Sequence, residues 1–475
     1  MSRTEPGAAG PVTAPPRPHS RPVAASEAVS EAEARRTRRA LNRIVVCAGG
    51  GEVCDGWVLG VVGAAMPLAR TDLSLGTLSA GLIGAASLIG IFLGGLCFGP
   101  LADRIGRRRM YLVDLGIFLV GSLLQLVVDS GAELFAVRLL MGIAVGADYA
   151  IAGALVAEFA PTHRRGRLLA SLIAYWYAGY VLATVLGAAL TAWSDDPGLW
   201  RWILASSALP SLAVLIARTG TPESPRWLAG RGRRAEADAV CRRWLGTRLD
   251  DLDETMGAPA GGARTGFATL FSPAYRRRTL FTSVFWLCQV TPFFAISTFA
   301  PQVFASLGAA DDGVGETALN CFLLVGCLCG TYLMDRTGRR PLLIVPFLVT
   351  ALALLVLGLW PHGPQWMVVG CFALFGLFHA GSSTLQAVYP SEVFPTAVRA
   401  TGIGLAAATS RIGAAAGTFL VPMGLQAWGA GAVMLCGAAL SLAGAAVSAA
   451  WAPETSGLEL AAASTPDEGR AHAAM

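Results

Sequence analysis

The sequence predicts an all-α integral membrane protein in which twelve transmembrane helices form two pseudo-symmetric six-helix bundles. Its composition, its long apolar runs and an internal repeat support this prediction. The 475 residues are 54% hydrophobic and only 14% charged, whereas a soluble domain has about 25% charged residues. Most of the surface is therefore expected to face the lipid bilayer.

The apolar runs give the number of membrane crossings. A spanning helix needs about 20 predominantly apolar residues. Runs of about this length lie at residues 44–67, 78–101, 110–128, 132–159, 168–192, 200–217, 279–305, 316–334, 341–360, 366–389, 402–425 and 430–451. Residues 1–37 precede the first span and are rich in Pro, Ala, Ser and Glu, so we expect a disordered cytoplasmic tail there.

The arginines indicate the orientation, because cytoplasmic loops carry an excess of basic residues. They cluster before span 1 and after spans 2, 4 and 8, whereas the loops on the other side carry mainly aspartate. Twelve spans place all of these clusters on one side. We therefore predict a multi-pass protein of the plasma (inner) membrane with both termini in the cytoplasm. The same distribution explains the formal net charge of +5, so no nucleic-acid partner is predicted.

A tandem repeat divides the spans into two groups of six. An Asp-Arg-x-Gly-Arg-Arg motif at 103–108 recurs at 335–340. Glu-x-x-Pro-Thr at 158–162 recurs at 392–396, and Pro-Glu at 222–223 recurs at 453–454, so the three pairs share nearly one offset. Such a parallel repeat is typical of rocker-type transporters. The predicted domains are a first bundle at 38–218, a cytoplasmic linker with short helices at 219–278, a second bundle at 279–452 and a cytoplasmic tail at 453–475.

These motifs resemble those of the major facilitator superfamily. The segment at 99–109 is similar to the family's loop signature between helices 2 and 3. Pro-Glu-Ser-Pro-Arg at 222–226, Pro-Ser-Glu-Val-Phe-Pro at 390–395 and Pro-Glu-Thr at 453–455 resemble the sugar-porter and metabolite:proton symporter branch. The resemblance implies proton-coupled symport of a small organic metabolite, either an organic acid or a sugar-like solute, by alternating access. A proton antiporter that exports a drug or natural product is the alternative.

Other classes of function lack support in the sequence. We find no P-loop, no nucleophile motif and no metal-ligand cluster, so neither an enzyme nor a cofactor or metal is predicted. The expected partners are a small-molecule substrate, protons and the lipid bilayer, and we expect a monomer.

Ionisable residues inside the spans are the candidates for proton coupling, since each costs about 2.5–3.5 kcal/mol at mid-bilayer. Asp148 in span 4 is the leading candidate, with neutralisation by a fixed arginine partner as the alternative. Glu52 and Asp55 in span 1 are three residues apart and share a helix face. Arg138 in span 4 either pairs with a carboxylate or extends towards the membrane surface. The segment around Asp55 resembles a signature of aromatic acid:proton symporters, but Val58 replaces its second aspartate.

Polar and aromatic residues in other spans are the candidates for substrate binding. Arg411 lies near the middle of span 11 and needs an anion, which is either a substrate carboxylate or an internal acid. The remaining candidates are Trp286 and Gln289 in span 7, His379, Ser383 and Gln386 in span 10, and Tyr175 in span 5.

The repeated motifs predict a cytoplasmic gate. Asp and Arg side chains in these short loops are expected to form ion pairs when the cytoplasmic side is closed, with plain topogenic charge as the alternative. Exposed pairs contribute about 0–1 kcal/mol each, so several are needed. The predicted gate residues are Asp103, Arg107, Glu158, Arg165, Asp335, Arg339, Glu392 and Arg399.

Overall fold

The computed structural model describes residues 23–159, 165–194, 196–246, 248–250, 267–273, 275–308, 314–394 and 399–455. Within these ranges every regular element is a helix. The helices of the first half are α1 (Val23–Asp72), α2 (Thr77–Ile105), α3 (Arg107–Leu124), α4 (Gly131–Phe159), α5 (Arg165–Trp193), α6 (Leu199–Ala205) and α7 (Ala208–Arg218).

The linker and the second half follow. The linker contains α8 (Pro225–Gly230), α9 (Arg234–Val240), a π-helical turn at Cys241–Leu245 and α10 (Phe267–Leu270). The helices of the second half are α11 (Arg276–Thr298), α12 (Ala300–Ser306), α13 (Val314–Thr337), α14 (Arg339–Leu359), α15 (Gln365–Ser383), α16 (Leu385–Val393) and α17 (Arg399–Trp451). We call the end of the molecule that carries the linker the linker side and the opposite end the far side.

These helices account for twelve crossings. In the described part of the chain, nine helical segments have the length and hydropathy of a membrane span, with α6 and α7 counted as one segment and α15 and α16 as another. One of them is α17, which contributes two crossings because it changes direction at Gly429, where φ is 78°. Gly413 and Gly444 of α17 both pack against α11 near Cys288, which shows that the two arms run antiparallel. α4 and α13 are the remaining two crossings.

The structure differs from the predicted spans in four places, namely one helix start and three interruptions. α1 begins at Val23, inside the segment expected to be disordered, because the stretch before Arg39 is rich in the helix formers Ala, Glu and Arg. Spans 6, 7 and 10 are each divided into two helices. Span 7 breaks at Phe299, just before Pro301, whose ring cannot continue a regular helix.

Glycines let the helices of each half approach closely, and the two halves use equivalent positions. A Cβ on Gly142 of α4 would lie 2.1 Å from the carbonyl oxygen of Ser87 in α2. A Cβ on Gly376 of α15 would lie 2.8 Å from the carbonyl oxygen of Leu319 in α13. The two contacts are related by the offset of the sequence repeat. The repeat is therefore also a symmetry of helix packing.

Two adjacent glycines of α2 allow a test of this packing. A Cβ on Gly94 would lie 2.1 Å from the carbonyl oxygen of Ile143, whereas no neighbouring atom of the described residues lies within 4 Å of the same position on Gly95. Gly94→Ala should lower the free energy of unfolding by about 1–3 kcal/mol through overpacking. Gly95→Ala, the matched control, should leave it unchanged or raise it slightly, since alanine favours the helix. Equal thermal midpoints for the two purified variants would contradict the close approach of α2 and α4.

The two halves meet along α2 with α17 and along α5 with α13. On the far side, the Thr77 hydroxyl donates to the Gln426 amide oxygen at 2.9 Å. Deeper in the bundle, the Tyr177 hydroxyl of α5 donates to the Ser383 hydroxyl of α15 at 3.0 Å. Polar contacts at two depths therefore connect the halves.

Candidate functional site

Buried charges concentrate where the helices of the first half meet. Each of these residues is at most 6% exposed, although an ionised group in a membrane interior is costly unless it is paired. The buried acids of the first half are Glu52, Asp55, Asp114 and Asp148, and its buried arginines are Arg138 and Arg218. We call the four acids and Arg218 the acid cluster.

An ion pair between Asp148 of α4 and Arg218 of α7 lies within this cluster. Nη1 of Arg218 is 3.6 Å from Oδ1 of Asp148. Nε of Arg218 donates to the carbonyl oxygen of Cys47 at 2.9 Å, and Nη2 donates to that of Ala48 at 3.4 Å. The guanidinium carbon lies 3.9 Å from the ring centroid of Tyr111. Residues of three helices, α1, α3 and α4, therefore all contact the arginine side chain.

A second carboxyl group adjoins the ion pair. Asp114 of α3 is 1% exposed and lies beside Asp148, within electrostatic reach of Arg218. Both Asp148 oxygens and Oδ2 of Asp114 have no hydrogen-bond partner among the described residues. Two carboxyl groups and one guanidinium thus occupy the same buried space.

Gly51 of α1 makes this arrangement possible. A Cβ at this position would lie 2.1 Å from Oδ2 of Asp148 and 2.3 Å from Nη2 of Arg218. No real side chain tolerates such distances. The ion pair therefore occupies the space that a side chain at position 51 would fill.

Glu52 and Asp55 extend the cluster along α1. Asp55 is fully buried, and neither of its oxygens has a hydrogen-bond partner among the described residues. Glu52 lies within electrostatic reach of Asp148 and Arg218, and also of Arg411 in the second half. The cluster consequently extends from the interior of the first half to the boundary between the halves.

Arg138 lies outside this cluster. Its side chain is buried, and Nη1 donates to the backbone carbonyl oxygen of Val58 at 2.9 Å. Nε has no hydrogen-bond partner in the described part of the chain. The structure therefore places Arg138 against the backbone of α1 instead of bringing it to Asp55 or Asp148.

Arg411 of α17 lies at the boundary between the two halves, among aromatic side chains that together with it we call the boundary cluster. Its guanidinium carbon is 5.2 Å from the ring centroid of Tyr149 in α4 and 5.6 Å from that of Phe294 in α11. The side chain is 8% exposed, and its Nε has no hydrogen-bond partner among the described residues. The arginine thus presents this N–H group between aromatic rings of both halves.

Aromatic side chains of α5 and α11 form the rest of the boundary cluster. The ring of Trp176 lies 6.1 Å from that of Phe294 and 6.2 Å from that of Phe293. Phe293 in turn stacks on His379 of α15, with centroids 4.7 Å apart and an interplanar angle of 8°. The indole nitrogens of Trp176 and Trp286 have no hydrogen-bond partner among the described residues.

The remaining substrate candidates form a polar network on the second half. The Gln386 amide donates to the Gln289 amide oxygen at 3.0 Å, and the Gln289 amide donates to the Ser382 hydroxyl at 2.5 Å. Ser383 accepts from Tyr177 across the boundary. Tyr175 lies elsewhere, packed within the first half against α1. A small cavity inside the second half is lined by Cys288, Gln289, Pro292, Phe347, Thr350, Phe375, His379, Ser382 and Ser441.

The repeated motifs meet on the linker side in the same way in both halves. The backbone N–H of Arg108 donates to the Glu223 carboxylate at 3.2 and 3.3 Å. The backbone N–H groups of Arg339 and Arg340 donate to Glu454 at 2.9 and 3.0 Å. Each glutamate thereby satisfies the free N–H groups at the start of α3 or α14.

Glycine is required at the start of both helices. Gly106 has φ 105° and Gly338 has φ 80°, values that disfavour any side chain. This conformation explains the glycine of the Asp-Arg-x-Gly-Arg-Arg motif. It turns the chain so that the following N–H groups face the glutamate.

Two of the predicted gate residues form an ion pair with each other. The Arg339 guanidinium lies 3.3 Å from the Glu392 carboxylate, which also accepts from the Thr455 hydroxyl at 2.6 Å. Both members belong to the second half. The side chains of Asp103, Arg107, Glu158, Arg165, Asp335 and Arg399 lie outside those that the structure describes. Pairing between the halves therefore stays a prediction.

Two members of the acid cluster are absent from the residues predicted from the sequence. Asp114 is an ionisable residue inside span 3, and the rule that selects Asp148 also selects it. Arg218 follows the last residue of predicted span 6, where arginine usually reaches the membrane surface. Only the packing of α7 against α1 and α3 shows that it points inward.

Twelve crossings in two related halves are the architecture of a membrane transporter. The chain belongs to the sugar (and other) transporter family, whose sequence profile matches residues 44–465. It is 39% identical over 421 residues to the inner membrane metabolite transport protein YgcS of Escherichia coli K12, covering 89% of this chain and 93% of the relative. The putative metabolite transport protein YaaU of the same organism is also 39% identical, over 422 residues, with coverage of 88% and 93%.

A solved structure shares the fold. The major facilitator proton:xylose symporter XylE superposes with a TM-score of 0.75 at 21% identity, covering 92% of this chain and 99% of the other. The predicted major facilitator fold is thereby confirmed. The protein is a multi-pass membrane transporter and not an enzyme.

Proposed function

We propose that the protein is a proton-coupled symporter that moves a small organic metabolite by alternating access. The acid cluster carries this proposal. Among the described residues it contains four buried carboxyl groups, and Arg218 forms an ion pair with one of them, Asp148. Ionising all four would cost several kcal/mol per uncompensated charge. The cluster therefore holds protons, which a proton-coupled transporter must bind and release.

The boundary cluster favours an organic acid over a sugar as the substrate. In it, Arg411 Nε and the indole nitrogen of Trp176 have no hydrogen-bond partner among the described residues. Arginine and indole N–H groups donate only, so they suit a ligand rich in acceptors. A carboxylate gains charge-assisted hydrogen bonds from the arginine. The aromatic rings suit an apolar or ring-shaped remainder of the solute.

The position of Glu52 supports coupling between proton and substrate. Glu52 lies within electrostatic reach of Asp148 in the first half and of Arg411 in the second. A substrate anion at Arg411 reduces the attraction between Arg411 and Glu52. Binding of the anion consequently favours a proton on Glu52, and a proton there frees Arg411 for the anion.

Uptake into proteoliposomes tests the proposal. Purified protein is reconstituted, and a panel of labelled aromatic acids, aliphatic acids, D-xylose and a polyol is offered with and without an inward proton gradient. We expect at least one organic acid to accumulate with the gradient and to be lost when a protonophore collapses it. Accumulation that never responds to the gradient would contradict proton coupling.

Two other outcomes identify the alternatives. Accumulation of a sugar or polyol alone would overturn the assignment of Arg411 to a substrate carboxylate while leaving proton coupling intact. If the inward proton gradient drives solute out of the proteoliposomes, the protein is an antiporter instead.

A further inference from the structure

We propose that Asp114 and Asp148 form a two-carboxyl proton site held by Arg218, and that this site acts directly on the loop that follows α7 on the linker side. The site rests on the proposed proton coupling and assigns it to particular atoms. Asp114 and Arg218 take part here in addition to the residues predicted from the sequence.

The unsatisfied atoms of this site define what it lacks. Asp114 and Asp148 are at most 1% exposed and lie side by side, and three of their four oxygens have no hydrogen-bond partner among the described residues. Nη1 of Arg218, whose side chain is 2% exposed, faces Asp148 at 3.6 Å and likewise has no hydrogen-bond partner there. One proton between the carboxyl groups supplies the missing donor.

Charge balance gives the two states of the site. With one proton, Asp114 or Asp148 is a neutral acid that donates to the other carboxylate, and the guanidinium balances the remaining negative charge. When the proton leaves to water, two carboxylates face one guanidinium. Like charges side by side repel strongly in a buried site, so the deprotonated site favours separation of α3 from α4.

The groups around the pair come from three helices. α1 contributes Glu52, Cys54 and Asp55, α3 contributes Tyr111, and α7 contributes Arg218. The two acids of α1 favour retention of the proton. Arg218 favours its release and is the positively charged member of this set.

The loop after α7 is hydrogen-bonded to α3 and α7, two of the three helices that hold the site. The hydroxyl of Thr221 donates to the carbonyl oxygen of Arg218 at 2.8 Å. The Arg108 side chain at the start of α3 donates to the carbonyl oxygen of Thr219 at 2.9 Å, and its backbone N–H donates to Glu223. Asp114 lies about two turns from the start of α3. Because the Arg218–Asp148 ion pair ties α7 to α4, separation of α3 from α4 also moves α3 relative to α7 and changes this loop directly.

Infrared difference spectroscopy of the full-length protein in liposomes tests the site with the proton itself as the probe. The pH is titrated without substrate, and the carbonyl band of protonated carboxyl groups is followed. We expect Asp114→Asn to remove one band component. Because Arg218 then faces a single carboxylate, Asp148 should stay ionised down to a pH at least about 1 unit lower than in the wild-type protein. Asp129→Asn, at a carboxyl that is 87% exposed, is the matched control and should change nothing in this band.

Arg218 gives the opposite shift. Arg218→Gln removes the counter-charge, so the pair should release its proton at a pH about 1–3 units higher, whereas Arg218→Lys should restore most of the original midpoint. If Arg218 had a purely structural role, the pH midpoint of the carboxyl band would be the same in the folded Arg218 variants as in the wild-type protein. If Arg218→Gln does not give monodisperse protein, the lowered midpoint of Asp114→Asn against the unmoved midpoint of Asp129→Asn still tests the site.

The outcomes separate this inference from the proposed function. A gradient that drives uptake in proteoliposomes while Asp114→Asn keeps the wild-type band and midpoint overturns the two-carboxyl site and leaves symport standing. A band that responds to both variants, in a protein whose uptake ignores the gradient, establishes the site and overturns symport.

Discussion

Replacing Arg411 with glutamine is expected to reduce uptake of the transported acid at least about 100-fold while leaving the protein folded. Arg411 is the buried cation of the boundary cluster, and its Nε has no hydrogen-bond partner within the described ranges, although the guanidinium lies near the rings of Tyr149 and Phe294. Charge-assisted hydrogen bonds to a carboxylate are about twice as strong as neutral ones. A loss of about 100-fold corresponds to about 2.7 kcal/mol of binding free energy. Initial uptake rates in proteoliposomes measure the effect.

The controls separate substrate binding from an internal salt bridge. Arg411→Lys should retain part of the activity, and Arg109→Gln, at an exposed arginine of α3, should retain all of it. If Arg411 serves only to neutralise Glu52, the double variant Glu52→Gln/Arg411→Gln should recover transport. Recovery would contradict a direct role in binding, and continued loss would support it.

Substituting valine for Gly51 is expected to have the second large effect, on both stability and proton coupling. The new side chain would occupy the space of Asp148 Oδ2 and Arg218 Nη2, which lie 2.1 and 2.3 Å from the position that its Cβ would take. Separating a buried ion pair costs about 3–5 kcal/mol when one charge is left unpaired. We expect a lower thermal midpoint and loss of gradient-driven accumulation.

Gly116→Val is the matched substitution. Gly116 lies in α3, the helix that also carries Asp114, but no neighbouring atom of the described chain lies within 4 Å of its Cβ position. It carries the same helix-propensity cost of valine without the clash. If Gly51→Val and Gly116→Val show the same thermal midpoint and the same accumulation, Gly51 is not needed for the ion pair.

Much of the architecture can be predicted because it depends on local properties of the chain. The twelve spans follow from the length of apolar runs, and the repeat follows from three motifs at nearly one offset. The interruptions at Ser206, Phe299 and Thr384 are not predicted, because each lies within a run that is apolar enough over its whole length to be assigned as one span. The start of α1 is also missed, because low hydrophobicity indicates disorder although the same residues favour a helix.

The candidate site can be predicted only in part. Asp148, Asp55 and Glu52 are recognisable as charges inside apolar runs, and the structure places all three in the acid cluster. Arg138 is recognisable for the same reason, yet it bonds to the carbonyl oxygen of Val58. Burial cost marks a residue as unusual, but it does not name the partner that offsets the cost.

By itself the sequence determined that this protein crosses the membrane twelve times as two related halves and that it buries carboxyl groups in the first of them. The tertiary structure decided that Arg218 pairs with Asp148, that Asp114 joins them, and that Arg411 lies among aromatic rings at the boundary between the halves. Hydrophobicity and repeat spacing are properties of the linear chain. Pairing depends on the depth and rotation of helices that lie far apart in the sequence, and here the absence of a side chain at Gly51 fixes their meeting point.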